Sequence, residues 1–78
     1  MRLSKLQIGQ KAKVTEIRSP ELELALMKLG LLRGDEIRMN HQAPWNGPLA
    51  LQVNGTQIAL RRSDAEHIEI ELRNEQTS

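Results

Sequence analysis

Seventy-eight residues make one domain, and with no cysteine among them neither disulfides nor thiolate metal sites can staple so small a core; a sheet closed into a barrel is the economical alternative. Eleven Lys and Arg against ten Asp and Glu leave a formal charge of +1, without the basic excess of a nucleic-acid binder. With no Phe or Tyr and a single Trp, the chain lacks both the stacking platform of single-strand binding and the aromatic groove that takes proline-rich peptides.

In chain order, Leu3, Leu6 and Ile8 precede Gly9 and read as a short turn that plugs one end of the core. Residues 11–18 form a first strand with Ala12 and Val14 in phase. Ile17 breaks the alternation, which predicts a bulge near Thr15 and Glu16. Ser19, Pro20 and Glu21 are N-cap, first-turn and dipole-favoured residues. They open a helix over 21–29 whose face is Leu22, Ala25, Leu26 and Leu29. Gly30 fits a left-handed cap, after which Leu31 and Leu32 turn back toward the core. Leu24 and Met27 fall on the opposite side of that helix.

Arg33, Gly34 and Asp35 make a turn, and residues 36–41 a second strand with Ile37 and Met39 inward. Two prolines and an Asn-Gly pair mark residues 43–48 as a loop. Residues 49–53 and 56–60 are strands joined at Asn54-Gly55, a strong hairpin signal. Residues 61–66 form a corner with one helical turn capped by Ser63. Residues 67–72 are the last strand, with Ile68, Ile70 and Leu72 in phase, and 74–78 a polar, frayed tail. Five short strands with turn signals between them predict a small barrel or sandwich.

The ordered motifs carry a resemblance. Pro20-Glu21-Leu22 followed by Leu29-Gly30-Leu31-Leu32-Arg33-Gly34, the loop Ala43-Pro44-Trp45-Asn46-Gly47-Pro48-Leu49, the corner Ile58-Ala59-Leu60-Arg61-Arg62-Ser63-Asp64-Ala65 and the strand Ile68-Glu69-Ile70 together resemble the FeoA family. The opening Leu3-Ser4-Lys5-Leu6 and Gly9-Gln10 resemble that family's start. Arg33 stands where the family usually has proline, and Trp45 where it usually has leucine.

The resemblance implies a mainly β fold, a small SH3-like barrel of about five strands with one short helix inserted between the first two, spanning residues 1–73. It implies a non-enzymatic accessory role in bacterial ferrous iron uptake, through protein contact with FeoB, a membrane iron transporter with a cytoplasmic GTP-binding domain. The alternative is a metal-responsive regulatory domain like the C-terminal SH3-like domains of iron-dependent repressors. Fold alone does not choose between them.

The residues assigned to a partner surface are Leu24, Met27, Leu31, Arg33 and Trp45. Met suits adaptable contacts and Trp recurs at binding hot spots. Two readings stay open for Leu24 and Met27, a helix sandwiched under the Trp45 loop or a docking patch. For Trp45 they are a lid folded on the barrel or an interface residue. Arg61 and Arg62 read as a solvated corner whose stems cover apolar surface.

His41 and His67 lie far apart without ligand spacing, so no metal or cofactor site is expected. Strand alternation puts His67 and Glu69 on one face and Glu66 on the other. No nucleophile–base pair or phosphate-cradling loop stands out. No apolar run can cross a bilayer and no signal-peptide core follows the N-terminus. The expected location is the cytoplasm, peripheral to the membrane only through the partner, with a second copy of the chain as the other contact considered.

Overall fold

A computed structural model describes residues 1–73; the tail assigned to 74–78 lies outside the described residues. A single 3₁₀ turn (Leu3–Lys5) leads into β1 (Lys11–Ile17), α1 (Pro20–Leu29), β2 (Glu36–Gln42), β3 (Leu49–Val53), β4 (Thr56–Leu60), a four-residue helix α2 (Arg62–Ala65) and β5 (Ile68–Leu72). The strands form one antiparallel sheet in the order β4-β3-β2-β1-β5.

The sheet is not closed into a barrel, which corrects the expected closure. Its edge strands β4 and β5 do not pair. The outer edge of β5 is taken instead by the start of the chain. Ile70 N–H donates to the Met1 carbonyl at 2.7 Å, and Arg2 bridges Glu69. Covering an edge with a neighbouring segment is one of the ways proteins blunt it.

Alternation fixes most of the core. Ala12, Val14, Ile37, Met39, Leu49, Leu51, Val53, Ile58, Leu60, Ile68 and Ile70 are buried, joined by Leu3, Leu6, Leu26, Leu31 and Ala65. In β1 the register shifts between Val14 and Glu16, so Thr15 is the bulged residue and Ile17 is returned to the core face, as its phase break implied. A second shift, between Met39 and His41 in β2, had no sequence signal. The β3–β4 turn holds Asn54 and Gly55 at φ 49° and 81°, the positive values a two-residue hairpin needs.

Four expectations of burial or capping fail, each for a local reason. Ile8 is exposed, because the chain has already left the core after Leu6 to place Gly9 N–H on the Met39 carbonyl at 2.7 Å. Ala25 and Leu29 are exposed; α1 rests on the sheet through Leu26, with Leu22 half-buried. Leu72 is exposed at the end of the edge strand β5. Ser63 lies inside α2 rather than capping it. Arg61 occupies the cap position and its carbonyl accepts from the Asp64 and Ala65 N–H groups at 3.0 and 3.1 Å.

Candidate partner-binding surface

Helix α1 is built as its sequence dictates. The Ser19 hydroxyl accepts from Leu22 N–H at 3.2 Å, and Pro20 takes the first turn, where its missing N–H costs nothing. At the other end Gly30 adopts φ 98°. Gly30 N–H reaches the Met27 carbonyl at 3.1 Å and Leu31 N–H the Leu26 carbonyl at 2.9 Å, the two bonds of a Schellman motif. That motif brings the second residue past the helix back over the last turn. Leu31 is therefore fully buried beside Leu26 and is withdrawn from the partner surface. Leu32, one residue on, is the exposed leucine.

Leu24 and Met27 are each about half exposed, as are Leu29 and Leu32. The helix is thus apolar on its solvent side as well as its core side, the pattern of an element with something further to touch. Arg33 braces this surface: its Nε holds Glu23 Oε2 of α1 at 2.7 Å while most of its side chain stays in solvent.

The β2–β3 loop presents the other element. Gly47 N–H donates to the Pro44 carbonyl at 3.1 Å, so Trp45 and Asn46 are the central pair of a tight turn, both in the left-handed region at φ 56° and 57°. Ala43 N–H closes the loop onto the Pro48 carbonyl at 3.0 Å. The turn centre is one residue earlier than the Asn46-Gly47 pair suggests. Gly47 is needed for another reason, since a Cβ there would stand 2.7 Å from that of Ala43. Trp45 is 94% exposed, which excludes the lid reading. A bulky residue held at positive φ with its ring in solvent is a strained arrangement of the sort found at working sites.

Leu24 and Met27 are half exposed and Trp45 almost wholly so, so the indole does not cover the helix and the sandwich reading falls as well. Between helix and loop lies α2. One open concavity is lined by Asn46, Gly47, Pro48, Arg61, Arg62, Ser63 and Glu66, and another by Ser19, Glu21, Leu22, Ala25, Arg61 and Asp64. Arg61 borders both. Composition gave no hint that the corner would join the two elements.

Glu66, His67 and Glu69 line one further concavity together with Arg2 and Arg18, which corrects the placement of Glu66 on the opposite face. Glu66 precedes β5 and turns to Arg2, whose Nη1 donates at 2.9 Å. The nearby Ser4 side chain and then the Arg2 guanidinium hold its carboxyl below the usual carboxylate range, with Arg2 making the hydrogen bond that the geometry shows. Glu69 meets the N-terminal ammonium at 3.3 Å and Arg18 at 3.5 Å. Among the described residues no three His, Asp or Glu side chains cluster as a metal site, and no helix is long and apolar enough to cross a membrane.

Comparison with known proteins agrees with this fold. The model of the FeoA domain matches residues 1–72. The FeoA protein of Chlorobium tepidum is 33% identical at a TM-score of 0.88, over 99% of this chain and 74% of that one. The FeoA of Stenotrophomonas maltophilia, solved with zinc, is 32% identical at 0.76, over 91% of this chain and 89% of its own. It is described as an SH3 domain protein and a candidate activating factor of ferrous iron transport. A manganese-dependent transcriptional repressor shares the fold alone, at 15% identity and TM-score 0.80, over 92% of this chain and 40% of the repressor. No curated protein sequence matches the chain.

Proposed function

Because this chain belongs to the FeoA family, linked to ferrous iron transport, we propose that it is a non-enzymatic accessory protein that regulates the FeoB transporter by direct contact on the cytoplasmic side. The observation that carries this reading is the exposed apolar surface of α1, Leu24, Met27 and Leu29, with Leu32 in the turn that follows it, together with a Trp45 that touches almost nothing of its own chain. Exposed apolar groups on a small domain are usually contact surface. A strained, solvent-facing Trp supplies a rigid anchor for a partner's pocket.

Contact alone regulates nothing. The protein shifts the transporter only if it binds one conformation or nucleotide state better than another. The activating role suggested for the Stenotrophomonas protein corresponds to preferring the transporting state. The test is co-purification with the transporter of the same bacterium in its empty, GTP-bound and GDP-bound forms. The wild-type chain is recovered with at least one form, and Leu24→Asp reduces that recovery. Failure in every nucleotide state overturns the proposal.

A further inference from the structure

The surface between the β2–β3 loop and α2 is concave, walled by Asn46, Gly47 and Pro48 on the loop side and by Arg61, Arg62 and Ser63 on the other, with Glu66 also bordering it. Its hydrogen-bonding capacity is weighted toward donors. Arg62 Nε is buried and meets no acceptor among the described residues, a costly state for a group that is always charged. Arg61 holds Asp64 through Nε alone at 3.3 Å, with 82% of its side chain in solvent, so the rest of its fork is free for a ligand. The carboxylate on the wall, Glu66, is already engaged by Arg2 at 2.9 Å.

We propose that this concavity seats a carboxylate side chain from an acidic segment of the partner protein, gripped by Arg61 and Arg62, while an apolar neighbour on that segment lies against Trp45. The donors call for an oxyanion acceptor, and guanidinium groups bind carboxylates by paired, charge-assisted hydrogen bonds. The rim selects the source. Pro48 stands in the wall and Trp45 adjoins the wall residue Asn46 in the loop, so the anion arrives with apolar chain around it. A free phosphate would satisfy the arginines and leave the indole unused. The inference rests on reading the Trp45 loop as a docking element, and it is tested without the transporter.

Trp45 is the only aromatic residue, so fluorescence reports the loop directly, and NMR of the arginine side-chain N–H groups reports the seat. The probe is a short capped peptide with one glutamate between leucines, compared with its glutamine counterpart and with inorganic phosphate. The glutamate peptide shifts the Arg62 Nε–H resonance and Trp45 emission saturably, with a dissociation constant of about 1 mM. The response is lost in Arg61→Gln and in Arg62→Gln; should Arg62→Gln fail to fold, the exposed Arg61 carries the comparison. Equal shifts from the glutamine peptide overturn the proposal, as does no response at ~10 mM. Binding of phosphate without binding of the peptide overturns it in favour of a free anion. Loss of the peptide response with co-purification intact removes the seat and leaves the accessory role standing. A peptide response without co-purification does the reverse.

Discussion

Replacing Trp45 by Asn should stabilise the domain while weakening its contact with the transporter. With 94% of its surface in solvent, Trp45 buries only about 15 Å² of the roughly 250 Å² a Trp can cover. At ~25 cal/mol per Å² that burial is worth about 0.4 kcal/mol. Against it stands the backbone. A non-glycine residue at φ 56° carries a left-handed penalty of about 1–2 kcal/mol, which Asn largely escapes because its short polar side chain bonds locally. Asn46 already occupies the adjoining position at φ 57°. The balance favours Trp45→Asn by about 0.5–1 kcal/mol, a rise in Tm of roughly 2–8 °C for a domain of this size. Thermal unfolding followed by far-ultraviolet circular dichroism reads it without the lost fluorophore. The same variant should be recovered less well with the transporter. A fall in Tm of more than ~5 °C would mean that the indole packs on its own domain, and the strain argument would be refuted.

Two further outcomes follow from burial and from charge. Leu29 and Leu31 flank the same glycine, yet Leu31→Ala should cost about 2–5 kcal/mol because its side chain is fully buried. Leu29→Ala should stay within about 0.5 kcal/mol; urea unfolding of the pair checks this, and similar losses in both would contradict the Schellman placement. The Glu66 carboxyl, lowered by the nearby Ser4 side chain and then by Arg2, contributes stability above the ordinary carboxylate range, and this is lost as pH falls through its own lowered value. Carbon NMR titration should show Arg2→Gln, which removes the 2.9 Å hydrogen bond, moving that midpoint upward, whereas an unmoved midpoint would refute the assignment.

The strands were legible because each carries a run of period-two alternation, interrupted by bulges only in β1 and β2, between residues with a backbone reason to turn. Residues 49–53 and 56–60 were read to their exact limits around Asn54-Gly55, where composition and φ agree. The bulge at Thr15 was legible through Ile17, a buried residue out of phase. What the sequence hid depended on tertiary packing. Leu22, Ala25, Leu26 and Leu29 make a regular helical stripe, but a helix of ten residues touching the sheet mainly at Leu26 buries only the middle of it. Sequence periodicity describes a face and says nothing of how much of that face its partner covers. The Gly30 cap was read as turning both Leu31 and Leu32 back toward the core, and Leu31 was also given to the partner surface; the cap returns Leu31 alone and leaves Leu32 exposed. Arg61 stands in solvent as the corner reading had it, and what no sequence signal marked is the loop as a neighbour of Arg61 and Arg62 across the fold.

The division between core and contact explains how one sheet serves different tasks. A repressor shares this fold at 15% identity, and a core of this kind in general tolerates replacement so long as volume and pattern are kept. Trp45 stands outside that constraint, since almost none of its side-chain surface is needed by the core, and Leu24 and Met27, each about half exposed, stand partly outside it. On the proposed role, their replacement should change what the domain meets at less cost to folding than a change in the core. Arg33 and Trp45 both lie in exposed territory, one bracing α1 and the other at the loop tip. Differences between such domains in what they bind should therefore concentrate on α1 and on the β2–β3 loop, where recognition and stability are set by different atoms.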